Sequence, residues 1–138
     1  MALMLGIDPG VSTGVARFVD GELAQLETIA PHELERMICS AMPARVVFED
    51  SRLQSHTWTR GKSMAATAKM ARNVGQVDAW CFLIASLCAS LGIPAQGISP
   101  ARKGAKLPAD VFGRVTGWTS GSNQHERDAA MVAWPLRR

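Results

Sequence analysis

Three strand-like runs crowd the first 29 residues, and the dipeptide Asp20-Gly21 stands between the second and the third. The runs are 3–9 (LMLGIDP), 13–19 (TGVARFV) and 22–29 (ELAQLETI). An Asp-Gly pair between two such runs is a strong signal for a type I′ hairpin, because both of its central residues need positive φ. The chain therefore opens as an antiparallel meander. Pro31 starts a short helix in which Leu34, Met37, Ile38 and Met42 recur at helical spacing, and Pro43 ends it. The next strand is 44–50, ARVVFED. A strand–helix–strand crossover favours parallel pairing, so a mixed sheet is required from the start.

The rest of the chain extends that sheet. Residues 51–63 (SRLQSHTWTRGKS) are polar and basic, without a clear period, and read as a mobile loop. A long helix is expected over 64–91, with Met70, Val74, Val77, Cys81, Ile84, Cys88 and Leu91 forming one apolar seam. Trp80, Phe82, Leu83 and Leu87 make its second half apolar on the other faces too. That half is expected to be buried all round, by the sheet or by a second subunit. A fifth strand (93–99), a helix opened by Pro108 with Val111, Phe112 and Val115, and a last helix over about 124–134 complete the order β-β-β-α-β-α-β-α-α. The expectation is one α/β domain, residues 1–138, with a mixed five-stranded sheet of three antiparallel and then two parallel strands, flanked by helices.

Composition narrows the class. Apolar residues make up 47% and charged residues 20%, which supplies a core and excludes bulk disorder. The net charge of +3 permits a polyanionic partner without demanding one. Cys39, Cys81 and Cys88 form no CxxC pair, and an odd count without metal spacing reads as reduced thiols in a cytoplasmic protein. Cys81 and Cys88 are seven apart, on one helix face, as core residues would be. The apolar start lacks a basic n-region, and no run is expected to span a membrane.

The chemistry concentrates at element ends. Asp8 closes the first strand and is rarely tolerated there unless paired or metal-bound. Glu49 closes the fourth, and parallel neighbours would bring both carboxylates to one sheet edge, where open α/β sheets place their sites. Asp50 points to the opposite face by the two-residue period, so Glu49 is chosen and Asp50 is the alternative. In the last helix, His125 and Asp128 lie at i and i+3, behind Asn123 as a cap. Carboxylates with an imidazole make a hard site for Mg²⁺ or Mn²⁺. Two such ions about 4 Å apart activate a water and stabilise the leaving oxygen of a phosphodiester.

The motifs GIDPGVSTGVARF, VVFED and HERDAA resemble, in order, those of the RuvC-type Holliday junction resolvases, within the ribonuclease H-like superfamily. RNVGQVDAW and ISPARKGAK fall where that family has similar segments. The resemblance implies a ribonuclease H-like fold and a compact, bacteriophage-like member. It implies catalytic and metal-binding roles for Asp8, Glu49, His125 and Asp128, with two Mg²⁺ or Mn²⁺ ions. It also implies a homodimer that resolves four-way (Holliday) DNA junctions, in a bacterial cell or a phage-infected host. The basic residues then gain a use. Arg52, Arg60, Lys62, Lys69, Arg72, Lys103 and Lys106 would bind phosphates, and Leu53 or Trp58 would wedge between or stack on bases. Two rival readings are an actin-like or sugar-kinase phosphate-binding ATPase fragment and a catalytically inactive DNA-binding module. The first needs a second lobe that this chain of 138 residues does not supply.

Overall fold

At the hairpin turn, φ is 52° at Asp20 and 85° at Gly21, the two positive values that a type I′ turn needs. The turn joins β2 (Thr13–Val19) to β3 (Glu22–Ile29), and β2 also pairs antiparallel with β1 (Leu3–Asp8). A 3-10 turn and α1 (Leu34–Ala41) carry the chain across to β4 (Arg45–Glu49), parallel to β1. Helix α2 (Met64–Leu91) leads to β5 (Ala95–Ile98), parallel to β4. The sheet order is β3-β2-β1-β4-β5, and α3 (Ala109–Thr116) and α4 (Gln124–Ala133) close the fold. The structure, a computed structural model, describes residues 2–54 and 63–138.

Period-two alternation sorts the strand residues onto two cores. Leu5, Ile7, Val15, Val46 and Phe48 pack under α1 and α2 with Leu34, Ile38, Cys81, Ile84 and Cys88. Met4, Ala16, Phe18 and Val47 pack under α3 and α4 with Phe112, Ala129, Ala130 and Val132. Helix α4 comes closest to the sheet over two glycines. A Cβ on Gly6 would meet the Ala129 carbonyl oxygen and stand 2.8 Å from Ala133 Cβ. One on Gly14 would meet the His125 carbonyl oxygen.

Among the described residues, helix α2 is covered by the sheet on one side only. Within this chain its second half is not buried all round: Cys81, Ile84 and Cys88 are buried, Trp80, Leu83 and Leu87 are half-buried, and Phe82 is 64% exposed. The sheet covers one side of a helix, and among the described residues nothing covers the other. In addition, α2 is long and apolar enough, by length and composition, to cross a membrane, with an 18-residue window at mean hydropathy 1.5. That corrects the expectation that no run reaches such a length. Its Cys81, Ile84 and Cys88 stripe is packed on the sheet.

Candidate active site

Asp8 and Glu49 are the last residues of β1 and β4, and Ile7 and Phe48 just before them are paired in register. Alternation turns both carboxyls toward α4, and they hydrogen-bond to one another. The turn after Asp8 does not consume its side chain. Thr13 does that bracing instead, donating from Oγ1 to the Gly10 carbonyl at 2.8 Å and accepting from the Gly10 N–H at 3.3 Å. Asp50 takes the opposite face. It lies over Gly97 and accepts from Arg52 Nε and Nη2 at 2.9 and 2.8 Å.

The third carboxylate comes from α4. Asn123 caps this helix, its Oδ1 accepting from Glu126 N at 2.9 Å while Glu126 Oε1 accepts from Asn123 N at 3.0 Å. Both residues also bond to Thr28 of β3, which pins the helix start to the sheet. Asp128, one turn in, is 5% exposed and accepts from Gln124 Nε2 at 2.8 Å. The i to i+4 spacing of Gln124 and Asp128 is the sequence signal for this pair.

Lys103 closes the cluster. Its Nζ is 3.0 Å from Glu49 Oε1 and 3.7 Å from Asp128 Oδ2, with a side chain only 9% exposed. The residue expected on a DNA backbone is thus inside the acidic group. Its segment turns back after β5 through a short 3-10 helix, Pro100–Arg102. Lys106 stands at the rim, 3.9 Å from Asp128 Oδ2 and 70% exposed.

Crowded charge sets the protonation states. Burial, then the Glu49 carboxyl beside it, pushes the Asp8 pKa up to about 8. Burial works in the same direction on Glu49, but the bond to Asp8 and the Lys103 ammonium overcome it and hold Glu49 below the ordinary value. Lys103, despite burial, is held above the ordinary lysine range by Glu49, Asp8 and Asp128.

The remaining expected residues are scattered around this centre. His125 is exposed, and among the described residues no hydrogen bond or ion pair holds its imidazole. Arg52 is committed to Asp50. Leu53 is 57% exposed, and Lys69 and Arg72 are exposed on the first half of α2. Trp58, Arg60 and Lys62 lie outside the described residues.

No family model matches the sequence, and no curated protein matches it. Solved structures do. Thermus thermophilus RuvC in complex with a Holliday junction substrate is similar at TM-score 0.64 and 15% identity, over 97% of this chain and 91% of that one. A second Thermus thermophilus RuvC structure is similar at TM-score 0.60 and 13% identity, over 96% and 91%. The chain has a RuvC-like fold. Its mixed five-stranded sheet with flanking helices is the ribonuclease H-like arrangement.

The donor chemistry suits a hard divalent cation, since Asp8, Glu49 and Asp128 bring carboxylate oxygens from three elements into one neighbourhood around Lys103. Among the described residues, no three His, Cys, Asp or Glu side chains are preassembled around a metal position. The Lys103 ammonium lies between two of the three carboxylates.

Proposed function

We propose that this protein is a divalent-metal-dependent endodeoxyribonuclease that resolves four-way DNA junctions. The observation that carries the reading is the convergence of Asp8, Glu49 and Asp128 at the carboxyl ends of two parallel strands and the start of α4. The RuvC-like fold, with a neighbour solved on a Holliday junction, supports the choice of substrate. Asp8, Glu49 and Asp128 would hold the metal, with His125 at the open side of the same helix start. A pair of Mg²⁺ or Mn²⁺ ions held there would supply the charge to activate a water and stabilise the leaving oxygen.

The chain's own residues do the rest. Asp8 and Glu49 fix the ligand geometry from the rigid sheet, and Gln124 orients Asp128 by its 2.8 Å bond. Lys69, Arg72 and Lys106 offer exposed cations for phosphates, which makes binding salt-dependent. The exposed Phe82 and half-buried Trp80, Leu83 and Leu87 offer α2 as a homodimer face, and two-fold symmetry suits paired cuts across a junction.

The test is cleavage of labelled four-way junction, fork, RNA–DNA hybrid and linear duplex, with Mg²⁺, Mn²⁺ or EDTA. Metal-dependent paired nicking of the junction is expected. Tight junction binding without cleavage in either metal would overturn the reading in favour of an inactive DNA-binding module.

A further inference from the structure

Lys103 is the group that the proposed chemistry leaves over. A lysine is rarely buried without anions to hold it, and here its anions are Glu49 Oε1 at 3.0 Å and Asp128 Oδ2 at 3.7 Å. Those are oxygens that a divalent cation would require. The ammonium and the metal therefore compete for one set of donors. The buried Asp128 carboxylate and the half-buried Glu49 carboxylate also need some cation, because uncompensated charge taken out of water is strongly destabilising.

The backbone around Lys103 is suited to letting it go. Its own N–H is held only by a 3.4 Å bond to the Pro100 carbonyl. Gly104 follows at φ 86°, in the left-handed region, with open space around it. Gly104, Ala105 and Lys106 are exposed, and the chain is next anchored at Leu107, whose carbonyl accepts from Arg127 Nε at 2.9 Å. The carboxylates, by contrast, sit on strand ends and on a capped helix. In any exchange the lysine moves and the acids stay.

We infer that the Lys103 ammonium is a tethered stand-in for a divalent cation, occupying Glu49 and Asp128 in the metal-free protein and vacating them when metal binds. This rests on the metal-dependent reading above. While in place, Lys103 holds α4 against the end of β4 and keeps the Glu49 and Asp128 carboxylates neutralised. Once displaced, it joins Lys106 at the rim, where it can meet a DNA phosphate. Metal loading and phosphate binding then favour one another, since each removes an alternative partner from the other's path.

The experiment uses the whole protein and Mn²⁺ alone. Calorimetry compares Mn²⁺ binding to the parent and to Lys103→Met, each stripped with EDTA first, and melting temperatures are recorded without metal. Lys103→Met is expected to bind Mn²⁺ about tenfold tighter and to melt lower in the metal-free state. Separately, acetic anhydride labelling of the parent is read by mass spectrometry with and without Mn²⁺, with exposed Lys69 as the internal reference. Labelling of Lys103 should rise several-fold with Mn²⁺ while Lys69 stays constant. Equal or weaker Mn²⁺ binding by Lys103→Met overturns the inference. So does unchanged Lys103 labelling in a parent that binds Mn²⁺, a result that needs no variant to fold. A parent that binds no Mn²⁺ at millimolar concentration overturns the metal-dependent reading itself, and this inference with it.

Discussion

Gly14 stands directly opposite Asp8 in the β1–β2 register, and the space where its side chain would be is filled by the His125 carbonyl. The strand position beside the first carboxylate is thus the one on which the helix bearing the third carboxylate rests. Filling it should move α4. We expect Gly14→Ala to cost about 2 kcal/mol of stability, as overpacking of a tight contact does, and to lose cleavage. Gly75→Ala is the matched control. Gly75 lies in α2 with nothing within 4 Å of a Cβ, so the change should stabilise by roughly 1 kcal/mol. Thermal melts of the two variants beside the parent check both values.

Asp8 and Asp50 make a second comparison. Asp8→Asn keeps the shape but removes the charge proposed to hold metal, so cleavage should fall to background while junction binding survives in a mobility-shift assay. Asp50 faces the other side of the sheet and serves Arg52. Asp50→Asn should cut junctions within a few-fold of the parent and lose about 1 kcal/mol, since Arg52 is partly solvated. A dead Asp50→Asn with an active Asp8→Asn would exchange their roles.

The pH dependence of the metal-free protein follows from Asp8. Its pKa is raised on folding, from 3.8 to about 8. Such a group stabilises the fold fully below the unfolded value and loses that contribution as pH rises through the folded value. In EDTA, the melting temperature should therefore fall between about pH 4 and 8 more steeply in the parent than in Asp8→Asn. Parallel curves would show that Asp8 does not titrate in that window.

His125 separates catalysis from stability. Its side chain is exposed at the start of α4, so His125→Ala should melt within about 0.5 kcal/mol of the parent. If the imidazole serves the metal or the scissile phosphate, the same variant loses most cleavage, and His125→Asp retains a substantial part. Single-turnover junction cleavage by the three proteins gives the answer.

Phe82, 64% exposed on α2, is the place to test self-association. Phe82→Glu should convert a dimer to a monomer in light scattering at micromolar concentration, with little change in monomer stability. Replacing paired cuts by single nicks is the expected functional result. A parent that scatters as a monomer, with or without DNA, removes the dimer from the proposal.

The parts of this architecture legible in the sequence are those set by neighbours along the chain. The Asp20-Gly21 turn needs only its own two residues and flanking strands, and it formed as read. The two-residue period alone sends Glu49 and Asp50 to opposite faces. Asn123 as a cap was legible for the same reason. Lys103 was not. Its burial depends on a short turn folding back from β5 toward β4 and α4, and a basic residue in a polar stretch carries no mark of that. Within the strand run 13–19, Gly14 carried no mark of its role, because the helix that needs its emptiness comes about a hundred residues later. The apolar surface of α2 was plain from its spacing, but spacing does not say what covers a surface, and Phe82 is left open.

Gly6 and Gly14 act together as a gauge block between sheet and helix. The separation of α4 from β1 and β2 is set by contact between backbones, with no side chain to compress, rotate or trade for a slightly smaller one. Chains of this fold can therefore be sorted by these two positions before any assay is run. Where both are glycine, the α4 carboxylate is delivered at the depth seen here. Where either bears a side chain, the helix must ride higher or tilt, and its acid arrives at a different height above the strand ends. Two small residues thereby set how far the α4 carboxylate reaches over the strand ends.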